Sequence, residues 1–435
     1  MDDDEVEIPK FFLCPISLEI MKDPVTAITG ITYDRDSIEH WIFTGRNTTC
    51  PVTKQPLPAG SDLTPNHTLR RLIQSWCTCR GIDRIPTPKP LLDRFHVIKL
   101  LRRLPSDRLL VLRCLETLAS EHDRNRRHLV DAGVPGAMVG ILLESFDRRE
   151  PHAPGLHEAV RVLHLVRAGP VEMKLTLQQH HQIDRIVQAL TWLLEFSNNH
   201  VTYNAVSVMR LLFEETCSSS SSNNNIATER LCPDFFEKIV GFLRAARAAA
   251  ADHDDHDHGH RDRQQAVNSA LTVMLRVSPL GKNRVAMVES GAVFELVELE
   301  LAAAGSLTES RRTTELVLGV LFNLCCCAEG RAEFLRHRAG VAVVAKRLMK
   351  ASSPAADERA VMILSSVCKF SGTNAVLQEL LSVKAVAKLC VVLQSDAAAH
   401  LKEKVAEILR LYSGEEWKSN PCMDTCLLSR YQYQS

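Results

Sequence analysis

The sequence predicts a mostly α protein: a small α+β domain at the N-terminus, followed by an all-α superhelical solenoid. Three observations carry this prediction. Ala and Leu are abundant while aromatic residues make up only 5% of the 435 residues, a composition that favours helices over a β-sandwich. Residues 1–80 are rich in Pro, Thr, Asp and Gly with short apolar clusters, whereas helical periodicity dominates from about residue 90 onward. A turn sequence then recurs along the second part, as expected of stacked helical units.

From the N-terminus, Ile28-Thr29-Gly30-Ile31-Thr32-Tyr33 predicts a tight hairpin, two β-prone pairs flanking a glycine. Asp34 to Gly45 predicts one amphipathic helix, with Ile38, Trp41 and Ile42 at i, i+3, i+4. Asp36 is the expected N-cap, with Glu39 three residues on, and Gly45 the expected stop. A second helix fits Thr68 to about Cys79, placing Leu69, Leu72, Ile73 and Trp76 on one face. The alternating prolines of Arg84-Ile85-Pro86-Thr87-Pro88-Lys89-Pro90 form a stiff, extended linker. The domain boundary falls there, giving a small domain over 8–82 and a linker over 83–92.

In the second part, Asn125-Arg126-Arg127-His128-Leu129-Val130-Asp131-Ala132-Gly133 is similar to Asn283-Arg284-Val285-Ala286-Met287-Val288-Glu289-Ser290-Gly291. Each follows one apolar helix (Leu109 to Leu118; Ala266 to Val277) and precedes another (Ala137 to Leu143; Phe294 to Leu301). Weaker copies lie at Gly330 to Leu335 with Gly340, and at Gly372 to Leu377 with Lys384 in the glycine position. Gly291 to Gly340 is 49 residues and Gly340 to Lys384 is 44. A helical repeat of ~40–47 residues is the armadillo/HEAT signature, and this turn is closer to armadillo. One unit cannot bury its own apolar face, so stacked units share a core, and 93–414 has room for roughly seven. Disordered insertions are expected near 218–225, a Ser/Asn run, and near 248–263, a His/Asp-rich stretch. Residues 415–435 lose the periodicity and read as a tail.

Charge and targeting narrow the function. Lys+Arg and Asp+Glu are both 52, so no basic excess recommends nucleic acid as a partner. No apolar run reaches the ~18 residues of a membrane span, and Met1-Asp2-Asp3-Asp4-Glu5 is acidic where a signal peptide would be basic. The cytoplasm, with or without a nuclear pool, is the expected location, and the fourteen cysteines are expected as thiols. Cys325-Cys326-Cys327 sits in an apolar helical run, where cysteine acts as a small hydrophobe. The His/Asp run at 252–260 has chelating chemistry, but an acidic, histidine-rich loop is the commoner meaning.

The most informative motif is Phe12-Leu13-Cys14-Pro15-Ile16-Ser17, answered by Cys50-Pro51-Val52-Thr53. A zinc-binding RING domain would place a second cysteine where Ser17 and Thr53 stand, because closed zinc sites need paired ligands. A neutral hydroxyl is a poor zinc ligand but a good hydrogen-bonding group. The reading is a RING-like fold without zinc or cofactor, held by a polar network drawn from Ser17, Asp23, Asp34, Arg35, Thr53 and Asn66.

Residues 8–80 closely resemble the U-box. The resemblance lies in Ile8 to Val25, Gly30-Ile31-Thr32-Tyr33-Asp34-Arg35, Cys50-Pro51-Val52-Thr53 and Pro65-Asn66-His67-Thr68-Leu69-Arg70, in that order. With helical repeats behind it, the chain resembles the plant U-box/armadillo ubiquitin ligases. That resemblance implies a ubiquitin transferase with no covalent intermediate of its own. The U-box would recruit a ubiquitin-charged conjugating enzyme, and the armadillo groove would hold the protein substrate. It implies a docking groove walled by Ile16, Leu18, Trp41 and Pro51, an apolar set with a Trp anchor of the kind small interfaces favour. It also implies a basic residue bridging ubiquitin and the conjugating enzyme, here Lys54, which has the charge but not the fork of Arg. A stress or defence role follows from family analogy alone, and self-association stays open. The competing readings are a non-catalytic armadillo scaffold with a degenerate U-box, and a zinc RING protein, against which the missing cysteines speak.

Overall fold

A computed structural model describes residues 8–45, 47–58, 61–79, 94–167, 182–196, 199–214, 231–251, 257–303, 311–348 and 353–411. The Ser/Asn run at 218–225, the linker 83–92 and the tail 415–435 lie outside the described residues.

The N-terminal domain is built on a three-stranded antiparallel sheet in the order β2-β1-β3, with β1 Pro24–Thr26, β2 Thr32–Asp34 and β3 Thr64–Pro65. Val25 pairs with Tyr33, and both are fully buried. The hairpin is therefore displaced from the expected one: Ile28-Thr29 belongs to its connection, and the first strand lies earlier. Period-two burial decides this register, since Val25 and Tyr33 enter the core while Ile28 is 62% exposed. Gly30 takes φ +80° in the connection, as a glycine can.

Helix α1 (Arg35–Glu39) continues as one π-turn over His40–Thr44. Asp34, not Asp36, occupies its N-cap position, and the Asp34 side chain accepts from Lys22 N and Asp23 N instead of capping. Gly45 ends the helix without a left-handed turn; a Cβ there would stand 2.8 Å from the Trp41 carbonyl oxygen. Helix α2 (His67–Cys79) buries Ile73 and packs Leu69 and Trp76 against the core. Leu72 is 52% exposed, so the apolar stripe is narrower than expected.

The remaining helices are α3 (Arg94–Arg103), α4 (Arg108–Glu121), α5 (Asp123–Asp131), α6 (Val134–Arg148) and α7 (Leu156–Val166). Next come α8 (Gln182–Leu193), α9 (Asn199–Glu214), α10 (Pro233–Ala251), α11 (Asp257–Val277), α12 (Gly281–Glu289) and α13 (Ala292–Ala303). The chain ends in α14 (Arg311–Cys325), α15 (Ala328–Arg336), α16 (Gly340–Arg347), α17 (Pro354–Ser371), α18 (Asn374–Ser382), α19 (Ala385–Gln394) and α20 (Ala399–Leu411). Residues 1–141 with 154–168 form one body, and 142–153 with 169–435 another. In the first, the long helix α4 packs on α7; in the second, the long helices α9, α11, α14, α17 and α20 stack in turn. Polar rungs tie these together: Thr313 Oγ1 donates to Asn268 Oδ1 at 2.7 Å, and Asn323 Nδ2 to Ser278 Oγ at 2.7 Å.

The recurring turn has a physical reason. Its arginine bonds a carbonyl at the end of the preceding long helix or just beyond it, where backbone acceptors lack helical partners. Arg126 Nε donates to Ala119 O at 2.7 Å, Arg284 to Pro279 O at 3.0 Å and Arg331 to Cys325 O at 3.0 Å. Gly133, Gly291 and Lys384 share left-handed backbone, with φ of +85°, +81° and +58°. Gly340 does not share it; it is small because a Cβ would meet the Phe334 carbonyl oxygen at 2.5 Å.

Two expectations need correction. Within 248–263, α10 runs through Ala251 and α11 begins at Asp257, so 248–251 and 257–263 are helical, and 252–256 lie outside the described residues. Of the cysteine triplet only Cys325 is buried in a helix; Cys326 is exposed and Cys327 is the N-cap of α15. No single helix among the described residues is long and apolar enough to cross a membrane.

Candidate functional site

Two loops of the N-terminal domain share one geometry. In the first, Leu13 bridges Ile20, Cys14 N donates to Glu19 O at 2.8 Å and Leu18 N to Cys14 O at 2.8 Å. In the second, Thr49 bridges Pro56, Cys50 N donates to Gln55 O at 2.8 Å and Lys54 N to Cys50 O at 3.0 Å. Leu18 and Lys54, each four residues after the cysteine, take the left-handed conformation, with φ of 59° and 60°. Each is therefore thrust out at a fixed loop exit: Leu18 is 73% exposed, and Lys54 is exposed. Non-glycine residues in that region cost about 1 kcal/mol, so the surrounding hydrogen bonds must hold them there.

The two cysteines hang the loops on consecutive residues of β2. Asp34 N donates to Cys14 Sγ at 3.3 Å, and the Tyr33 hydroxyl lies 2.9 Å from Cys50 Sγ. The Thr29 hydroxyl and Thr53 N also point at Cys50 Sγ, each at 3.4 Å. Burial pushes the Cys50 thiol up, but hydrogen bonds from Thr29, Thr53 and Tyr33 outweigh it and bring it down to about 6. Burial and the neighbouring Cys50 push the Tyr33 hydroxyl up. Tyr33 therefore keeps its proton and donates it toward sulfur. Convergent donors on a sulfur do here what a metal bond does in a zinc site. Among the described residues no cluster of three or more His, Cys, Asp or Glu side chains is placed to hold a metal ion.

The polar residues singled out in the sequence form the remaining frame. Arg35, 8% exposed, puts Nε 2.6 Å from Asp23 Oδ2, and Asp34 Oδ1 accepts from both Lys22 N and Asp23 N at 2.8 Å. Asn66 Oδ1 accepts from Leu69 N at 3.0 Å, capping α2, and Asn66 N donates to Pro24 O at 2.8 Å. Ser17 and Thr53 each accept locally, from Glu19 N at 3.5 Å and Gln55 N at 3.4 Å. They close their loops and do not bridge them.

Trp41 joins the helix to the second loop through Nε1, which donates to Thr49 O at 2.9 Å. It is half-buried, as are Ile16 and Pro51. Ile16 and Trp41 each present one side to the core cluster that contains Ile38 and Ile42. Val52 is 50% exposed at the place in its loop that Ile16 holds in the first. The sequence reading passed over Val52, although the two Cys-Pro-x-Ser/Thr motifs make it the counterpart of Ile16. The two matched loops and the helix thus each carry partly exposed apolar side chains, and a cation stands at one loop exit.

Comparison with known proteins follows the same division. The U-box domain matches residues 8–81, and the plant U-box protein ARM repeat region matches residues 91–433. E3 ubiquitin-protein ligase PUB24 of Arabidopsis thaliana is 41% identical, covering 99% of this chain and 97% of its own length. PUB23 and PUB22 of the same plant, also E3 ubiquitin-protein ligases, are 39% and 37% identical, again over 99% of this chain and 98% and 99% of theirs. Matched in both parts, in order and over nearly its whole length, the chain belongs to the plant U-box proteins with an ARM-repeat region.

Proposed function

We propose that this protein is an E3 ubiquitin ligase that docks a ubiquitin-charged conjugating enzyme on Ile16, Leu18, Trp41 and Pro51, with Val52 extending the surface. The observation that carries the reading is the pair of matched loops, tied to one strand and to the helix that bears Trp41. An apolar anchor held this way loses little freedom on binding, which is what a small interface needs. In the transfer, a lysine amine of the substrate attacks the thioester carbonyl, an isopeptide bond forms, and the conjugating enzyme's thiolate leaves. The ligase contributes position and restricted conformation, not a bonding atom. Lys54 supplies a positive charge at the second loop exit, where it bridges to ubiquitin. The ARM repeats hold the protein substrate.

The test is discharge of a ubiquitin-charged conjugating enzyme to free lysine, across a panel of such enzymes. Wild type is expected to accelerate discharge. Ile16→Ala and Trp41→Ala are each expected to slow it by about 10- to 30-fold, the loss of one central anchor. A zinc chelator, with magnesium kept in excess, is expected to change nothing. A folded wild type that discharges no conjugating enzyme would turn the weight to a scaffold whose ARM surface is its working part.

A further inference from the structure

The U-box helix touches the solenoid as well as its own core. Glu39 Oε1 lies 3.6 Å from an Arg124 guanidinium nitrogen of α5, and the Glu39 side chain is only 13% exposed. Asp36 Oδ1 lies 3.7 Å from Nδ1 of His122, the N-cap of α5. The Arg127 guanidinium sits 3.5 Å from the centroid of the Phe43 ring, inside the ~6 Å range of a cation–π contact. At helical spacing Asp36, Glu39 and Phe43 form one stripe, and Trp41 lies off it. The stripe is continuous with the frame of the loops, because Arg35 reaches both Glu39, at 3.6 Å, and Asp23, at 2.6 Å.

Two of the three contacting residues, His122 and Arg127, also differ from their counterparts in later copies of the same turn, while Arg124 corresponds to Lys282 and to Glu329. Asn125 and Arg126 correspond to Asn283 and Arg284, and to Gly330 and Arg331. In that alignment Arg127 corresponds to Val285 and Ala332, and His122 to Leu280 and Cys327. The shared positions serve the solenoid: Arg126 caps α4, and Asn125 and Leu129 are buried. Arg124 and Arg127 of the first copy contact the U-box helix.

We propose that Arg124 and Arg127 are positioning residues that hold the U-box helix against the first repeat, so that transferred ubiquitin reaches a restricted set of lysines. The proposal rests on the ligase reading above. It assigns a second job to the helix that carries Trp41: one face for the conjugating enzyme, another for the solenoid. Positioning of this kind acts on where ubiquitin goes and leaves the intrinsic rate of discharge alone.

The test uses the full chain, self-ubiquitination mapped lysine by lysine by mass spectrometry, and discharge to free lysine run in parallel. One variant is R124E/R127A. A second, H122L/R127V, carries the residues of a later copy, Leu280 and Val285, and so keeps a solenoid-compatible helix. Both are expected to discharge at the wild-type rate. In both, the share of ubiquitin on the wild type's principal lysines is expected to fall about two- to fivefold, the population ratio such a contact sets. Arg124→Lys keeps the charge and is expected to keep the wild-type pattern. An unchanged lysine pattern in both variants, with discharge intact, overturns the positioning role. Absence of discharge in the wild type overturns instead the ligase reading on which it rests.

Discussion

The Tyr33 hydroxyl lies 2.9 Å from the Cys50 sulfur, and the Thr29 hydroxyl and Thr53 N donate to it at 3.4 Å, so removing the sulfur leaves the O–H of a fully buried tyrosine without that partner. A buried donor left unpaired costs about 1–3 kcal/mol. Cys50→Ala is expected to lower U-box stability by about that amount in urea unfolding followed by tryptophan fluorescence. The pH dependence has a defined sign. The folded thiol is brought down from 9.0 to about 6, so the folded state binds its proton less tightly than the unfolded chain does. Its contribution is fully present above the unfolded value and is lost as pH falls through the folded one. Serine at this position accepts hydrogen bonds but does not ionise. The stability gap between wild type and Cys50→Ser is therefore expected to shrink from pH 9.0 toward about pH 6. A gap that stays constant over that window would mean the sulfur acts as a neutral acceptor.

At the scale of the element, the repeat turn was legible because it needs particular residues at particular places. The arginine recurs at 126, 284 and 331 and the left-handed residue at 133, 291 and 384, the last with Lys384 in place of glycine. Lys384 at φ +58° carries a Cβ penalty that Gly291 at +81° avoids. Lys384→Gly is accordingly expected to stabilise the protein by about 0.5–1 kcal/mol and Gly291→Ala to destabilise it by about 1 kcal/mol, both read by urea titration. Effects of the same sign at the two positions would show that backbone strain does not govern the turn. Elements set by tertiary packing were less legible. The first strand of the hairpin was misplaced because Ile28-Thr29 has strand propensity but Val25 has the core to enter. Gly340 read like the other turn glycines, although it is close approach to Phe334 that requires it. Of the proposed docking surface, Ile16, Leu18, Trp41 and Pro51 could be named from the resemblance. Val52 was passed over although the paired motifs align it with Ile16, and the matching backbone geometry of the two loops brings that alignment out. The contacts of Arg124 and Arg127 with the U-box helix have no local signature at all, since they join residues far apart in the chain.

Across the whole molecule the repeats make stability a matter of neighbours, and one buried ion pair tests this directly. Glu300 of α13 and Arg347 of α16 are 1% and 3% exposed and form an ion pair, and the Thr314 hydroxyl of α14 also donates to Glu300 at 3.0 Å. Burial pushes the Glu300 carboxyl above its usual value even with Arg347 beside it, which marks the cost of placing a charge there. Removing one partner strands the other, so Arg347→Met is expected to cost about 3–5 kcal/mol, while Glu300→Leu with Arg347→Met is expected to recover most of that loss. In a solenoid each unit contacts only its neighbours, and the damage should spread no further than the adjoining units. Hydrogen exchange is therefore expected to accelerate in α13 to α17 of Arg347→Met, with protection in α3 to α5 and in the U-box unchanged. Discharge of a charged conjugating enzyme to free lysine should then proceed at the wild-type rate, because the loops and Trp41 lie outside the loosened units. Exchange that accelerates equally in the U-box would show one cooperative unit running from the docking loops through the last repeats. The positioning contacts at Arg124 and Arg127 would then transmit stability as well as direction.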